Sequence, residues 1–135
     1  MAAIAGRDVR IRYDSGGGAA VIAGARADNM TLNSSMIDIT DKDDDGIRTL
    51  LDDIGVFSMS MTVSGLLVGT TLIDLAKVTA AGSQLHDFEI LATGIGDFAG
   101  SFKIVSFEMG GEDGENAATF SCTLESSGTV TWTAA

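Results

Sequence analysis

The chain contains no proline and only one cysteine, one tryptophan and one tyrosine among its 135 residues. Without proline, its turns must be made by glycine and short polar residues. The 17 glycines, together with many serines and threonines, fit a β-rich protein better than a helix bundle. Cys122 is alone, so it can form no intrachain disulfide and reads as a buried thiol. Basic residues are scarce: 8 Lys and Arg stand against 19 Asp and Glu, a formal charge of −11. That balance excludes a nucleic-acid-gripping surface, which needs cations to displace the counterions of phosphate. Long apolar runs are missing as well. No window approaches the roughly 20 apolar residues of a membrane span, and the stretch Met1-Ala2-Ala3-Ile4-Ala5 is too short for a signal peptide, so a cytosolic protein is expected. The length fits one domain over residues 1–135, able to bury about two thirds of its unfolded surface.

Groups for catalysis are thin on the ground. The only histidine, His86, stands beside Asp87 among many serines, yet there is no Gly-x-Ser-x-Gly elbow and no Cys or His cluster for a metal. Gly94-x-Gly96 and Gly110-Gly111 lack the strand-to-helix setting of a phosphate cradle and read as turns. The expectation is a non-enzyme with no cofactor.

Strand periodicity runs through most of the chain. Asp8 to Tyr13 alternates Val9, Ile11 and Tyr13 with Asp8, Arg10 and Arg12, the pattern of an edge strand or arm with one charged face. Ser15 to Gly18 is a turn into a small-residue strand, Ala19 to Ala25. Phe57 to Leu66 alternates cleanly. After it the period changes: Thr71, with Asp74 three residues on, predicts a capped helix over about 72–81 that stops at Gly82. Strands follow at Leu85 to Ala92, Phe98 to Met109, Ala117 to Glu125 and Thr129 to Thr133, with glycine-containing separators between them. In Phe98 to Met109 the alternation slips near Val105, as a bulge would make it do.

The most distinctive stretch is Ile37 to Gly55. Ile37-Asp38-Ile39-Thr40 reads as a short strand running into Asp41, Asp43, Asp44 and Asp45, a crowd of carboxylates that cannot be buried together. An acidic loop, about 41–55, is therefore expected to project from the sheet. Its Asp41, Asp43, Asp45, Gly46 and Asp52 copy the ligand spacing of an EF-hand, but a strand replaces the required helix and Arg48 stands at a position normally apolar, so no metal is expected. A calcium-binding β-rich interaction module is the alternative reading. Because Arg7, Arg10 and Arg12 lie on the N-terminal segment with no evident partner, they are expected to meet Asp41, Asp43, Asp44 and Asp45, with Arg48, across a contact between subunits. Three faces are hydroxyl-rich and almost uncharged: Ser58, Ser60, Thr62 and Ser64; Thr119, Ser121 and Thr123; Thr129, Thr131 and Thr133. Solvated sheet faces usually carry more Lys and Glu.

Taken in order, Ile37-Asp38-Ile39-Thr40 before the charged loop, Ser58-Met-Ser-Met-Thr-Val-Ser-Gly65, the helix, Gly100-Ser-Phe-Lys-Ile104 and Thr119-Phe-Ser-Cys-Thr-Leu-Glu-Ser-Ser-Gly-Thr-Val-Thr131 resemble the major tail tube proteins of long-tailed phages and bacterial gene transfer agents. The resemblance implies an antiparallel β-sandwich or barrel with one flanking helix. It also implies hexameric rings stacked into a tube that conducts DNA as passing, non-specific cargo during delivery to a host cell. Tail terminator, tape measure and distal tail proteins would be partners. Assembly in the bacterial cytoplasm would precede residence in the tail of a released particle, with no membrane involved.

Overall fold

The computed structural model describes residues 3–114 and 116–135. Seven strands form one antiparallel sheet: β1 (Val9–Asp14), β2 (Ala19–Val21), β3 (Ala25–Ser34), β4 (Phe57–Leu66), β5 (His86–Ala92), β6 (Gly96–Gly110) and β7 (Thr119–Ala134). Their spatial order is β2-β1-β5-β6-β7-β4-β3. The one α-helix among the described residues, α1 (Thr71–Ala76), lies against β6.

A single sheet this wide cannot cover its own apolar face, so it folds over. The long strands β6 and β7 belong to both layers: Gly96 to Phe102 pairs with β5, whereas the rest of β6 pairs only with β7. Likewise β7 pairs with β4 only over Thr119 to Glu125. The bend falls where the β6–β7 register breaks. Between Ala99 and Ser101 the partner moves from Thr131 to Ser127, and Gly128 takes φ +81°, a backbone state that glycine adopts without strain. Between Ile104 and Ser106 the partner advances by one, leaving Val105 as the extra residue of a bulge, which is the origin of the slip in its alternation. Bulges at such corners let one strand pass from layer to layer. The result is a sandwich. One layer is β2-β1-β5 with the first half of β6 and the last part of β7. The other is the second half of β6, the first part of β7, β4 and β3.

The two inner faces meet in one core. Ile11, Phe88, Ile90 and Phe102 come from the first layer, and Met59, Met61, Val63, Phe120, Cys122 and Leu124 from the second. Phe88 packs edge-on against Phe102, with ring centroids 6.5 Å apart. The fully buried Cys122 thiol is pushed up to about 11 by burial, so it stays protonated and unreactive at neutral pH. Where β7 bends away, the Ser126 hydroxyl accepts the Met59 N–H at 2.8 Å and takes over a ladder bond. The layers are tied at their open side too. Asp28 of β3 accepts the Ile11 N–H of β1 at 3.3 Å.

Several expectations are corrected. The helix ends at Ala76 rather than near residue 81, because Gln84 Nε2 donates to the carbonyls of Val78 (2.8 Å) and Ala80 (3.1 Å) and holds that stretch in a turn. Thr71 is its first residue and not its cap; Thr70 occupies that place without a side-chain bond. β1 is no edge strand, since β2 and β5 flank it. Ser126-Ser127-Gly128 is a bulge inside one continuous strand and not a turn between two. Ile37 to Thr40 forms a single bridge, Asp38 to Leu50, because the Asp38 carboxylate turns back to accept the Thr40 N–H at 2.8 Å. β3 has no counterpart in the sequence reading: Asp28, Asn29 and Asn33 interrupt it with residues usually depleted in strands.

The core assignment gives a direct test. Phe120 is 6% exposed and its neighbour Thr119 faces out. Phe120→Ala is expected to cost about 3–5 kcal/mol of unfolding free energy, and Thr119→Ala under about 1 kcal/mol. Urea titrations of both variants measure the difference.

Candidate assembly surfaces

Directly opposed residues of antiparallel strands share a face, so the pairing register assigns each outer surface. On the second layer three rows cross all four strands. They read Asn29–Thr62–Thr123–Ser106, then Thr31–Ser60–Glu125–Lys103, then Ala27–Ser64–Ser121–Glu108. Two of the hydroxyl-rich series thus merge into one continuous face of hydroxyls and amides. Of its few charges, Glu125 accepts from Ser60 at 2.7 Å, Lys103, opposite Glu125, donates to Gln84 outside the face at 2.7 Å, and Glu108 is exposed. Thr129, Thr131 and Thr133, the third series, lie on the outer face of the other layer.

That other face is ionic. Arg12 pairs with Glu89 directly across from it, and Arg10 reaches Asp28 at 3.7 Å. Burial, aided by a hydrogen bond with Asp97, pushes the Glu89 carboxyl above its usual range, while Arg12 draws it back. These pairs correct the premise that the arginines of β1 have no partner within the chain. Arg10 and Arg12 have partners inside their own chain, supplied by β3 and β5, strands far from them in sequence. Arg7, in a 3₁₀ turn at Gly6–Asp8, and Arg48 are exposed and make no ion pair among the described residues.

Residues 35–56 leave the sandwich as an arm between β3 and β4. Its legs are joined by the Asp38–Leu50 bridge, by Leu51 N–H to Ile37 O at 2.8 Å, and by Thr40 and Thr49, which exchange side-chain and backbone bonds. The four carboxylates sit at its tip around a 3₁₀ turn, Lys42–Asp44. There Asp41 accepts the Asp43 N–H at 2.9 Å, Asp44 accepts the Asp41 N–H at 2.8 Å, and Asp45 closes the turn in the left-handed region at φ 52°. Asp41 and Asp44 are therefore engaged in shaping their own loop. The legs hold what the sequence reading passed over: Met36, Ile37, Ile39, Ile47, Leu50 and Ile54 are all exposed. The signal was present as a high density of aliphatics around the carboxylates.

Two strand edges are also open. β3 is the last strand of the sheet along its whole length, and β6 beyond Phe102 pairs on one side only. Neither edge carries a proline, and each bears apolar side chains in the open, Leu32 on one and Val105 on the other. Long unprotected edges are templates for another strand.

A structure with an ionic face, an unusually uncharged face, open edges and a bare apolar arm, and with no metal-ligand cluster among its described residues, is a structural subunit built to join copies or partners. Its family follows from comparison: residues 3–132 match the family model described as phage tail tube protein, and the chain belongs to that family. No curated protein matches the chain. Among solved structures it is similar to a chain in the tail of an empty gene transfer agent particle, refined helically with C6 symmetry, at 27% identity and TM-score 0.84, covering 97% of this chain and 99% of that one. A chain of the native gene transfer agent virion gives 26% identity and TM-score 0.83, with 97% and 99% covered. The SPP1 tail tube, at 17% identity and TM-score 0.70 over 98% of this chain and 80% of that one, shares the fold.

The Asp28 tie makes a prediction about pH. Its side chain is 4% exposed, and burial raises its pKa against the opposing pull of the Ile11 N–H and Arg10. Between the unfolded and folded pKa values the native state holds more protons than the unfolded chain, so stability falls as pH rises through that interval. Asp28→Asn has no such titration. Relative to this variant, the unaltered protein is expected to gain melting temperature as pH is lowered from 7 to 4. A difference independent of pH would place Asp28 in water.

Proposed function

We propose that the chain is the major tail tube subunit of a phage or gene transfer agent, forming six-membered rings that stack into a DNA-conducting tube with the hydroxyl and amide face turned to the bore. The observation that carries this reading is the contrast between the two outer faces. A polyanion slides past hydroxyls and amides, among which one lysine, Lys103, stands opposite Glu125 and there is neither a cluster of cations to grip it nor dense like charge to repel it, whereas the ionic face suits the outside. The six-fold tail in which the similar gene transfer agent chain was solved supports the ring number.

The open edges supply the lateral joint. Within the second layer β6, β7, β4 and β3 alternate in direction, so β3 runs antiparallel to β6. Ala25 lies at the same end of that layer as Gly110, and Ser34 at the same end as Lys103. Rotation about an axis along the strands therefore sets the β3 edge of one copy antiparallel beside the β6 edge of the next at equal height, and closes a continuous inner barrel. Leu32 and Val105 become covered. Arg7 and Arg48, like Arg26 and Lys42, are exposed cations without an ion pair among the described residues and would meet carboxylates of neighbouring copies, including Asp43 and Asp45. Tail terminator, tape measure and distal tail proteins would meet the tube at its ends and in its bore, and assembly in the bacterial cytoplasm would precede incorporation into the particle.

Thiol accessibility tests the orientation. Thr62→Cys lies on the hydroxyl face and Thr131→Cys on the ionic face, while Cys122 is buried. In assembled tubes, a polymer-linked maleimide too large for the bore is expected to modify Thr131→Cys and spare Thr62→Cys. In the dissociated subunit both should react. Modification of Thr62→Cys alone in tubes would reverse the wall.

A further inference from the structure

Resting on the tube reading, we propose that Gln84 is a positioning residue that holds the Lys103 ammonium off the bore, so that passing DNA meets a face without a free cation. Lys103 is the one cation in the three rows of the hydroxyl and amide face. Its cross-strand neighbour there is Glu125, yet no ion pair joins the two, and Glu125 accepts from Ser60 at 2.7 Å instead. Lys103 Nζ donates to Gln84 Oε1 at 2.7 Å. Gln84 stands two residues before β5, a strand of the other layer, and β5 joins β6 at Phe102, the residue before Lys103. The bond therefore draws the lysine toward the edge of β6 and out of the face.

The receiving amide is itself fixed. Gln84 Nε2 donates to the carbonyls of Val78 at 2.8 Å and Ala80 at 3.1 Å, which leaves Oε1 as the atom presented to the ammonium. A flipped amide would lose both bonds and set N–H groups against a cation. Burial, and then the Lys103 charge, hold His86 below its usual range, so the imidazole at the start of β5 stays neutral and adds no second cation beside the clasp. A carboxylate partner on the face would pair with the lysine but leave it in the bore, whereas a neutral amide outside the face removes it without adding charge. Repetition makes this matter. Copies arranged in rings would otherwise line the bore with circles of ammonium groups, and each phosphate neutralised adds about 0.7 to the salt exponent of binding for a single strand and about 0.9 for a duplex. A few such contacts acting together turn a conduit into a binding surface.

Binding of a short labelled single-stranded DNA to assembled tubes of the full chain, followed by fluorescence anisotropy across a salt series, tests the clasp. Gln84→Met is expected to bind the strand at least about fivefold more tightly than the unaltered tube at low salt, with a steeper salt dependence. Adding Lys103→Gln to Gln84→Met should abolish the gain. Gln84→Glu keeps an oxygen for Lys103 but gives up the donors to Val78 and Ala80, and is expected to bind no more tightly than the unaltered tube, which separates the clasp from the turn it also braces. Lys103→Gln alone is expected to leave binding within about twofold, because the lysine is already out of play. A gain that survives Lys103→Gln, or an assembled Gln84→Met tube with no gain, overturns the proposal. So does a clear loss of binding from Lys103→Gln alone, which would mean that the ammonium already faces the bore; this arm decides the matter if Gln84→Met fails to assemble. Failure of the unaltered protein to form tubes would refute the tube reading instead, and the maleimide pattern reports a reversed wall separately.

Discussion

The constraint on which this fold depends is that two strands must serve two layers. β6 and β7 are long enough to run through both halves of the sandwich, but a strand kept in perfect alternation would carry its apolar face straight on into solvent. The extra residue at Val105 and the left-handed step at Gly128 absorb the turn. Without the extra residue at Val105, Ile104 and Phe107, three apart in sequence, could not both face the core.

Once the layers are folded over, their open side needs holding, and a single carboxylate does part of it. Asp28 stands in the second layer beside Val63, and its oxygen replaces a backbone acceptor for Ile11 in the first. Burial makes the charge unfavourable there, and one oxygen has no partner among the described residues. The neighbouring Arg10 offsets some of that cost. The tie fixes the position of β3, which is also the strand whose outer edge is open. Closure of the subunit and, in the proposed tube, the joining of subunits thus meet on the same strand.

The magnitudes favour apolar contacts over ionic ones as the joints between copies. An exposed ion pair contributes about 0–1 kcal/mol and weakens with salt. Burying one isoleucine side chain contributes roughly 1.5–3 kcal/mol, and the arm exposes several. Charges on such a surface act mainly in keeping wrong pairings apart and in solubility. The carboxylates at the tip also fix the turn that presents Ile47.

Much of this was determined by the sequence alone. Period-2 patterns fixed β1, β4, β5 and most of β6 within a residue or two, because a half-buried strand must alternate. The slip at Val105 announced its bulge, and the hydroxyl series marked a face of unusual chemistry. What local pattern could not decide was partnership. Arg10 and Arg12 look unpaired in the chain, yet Asp28 and Glu89 reach them from strands brought alongside only by folding. Nor could it show that two hydroxyl series adjoin while the third turns away, since this depends on cross-strand register and on the bend at Gly128. β3 itself is a strand by context: its Asp28 and asparagines are poor strand formers, and it is held by its long pairing with β4 and by the contact of Asp28 with β1. Tertiary structure decides such cases because the stabilising groups are distant in sequence, and only closure of the sandwich puts them within bonding distance.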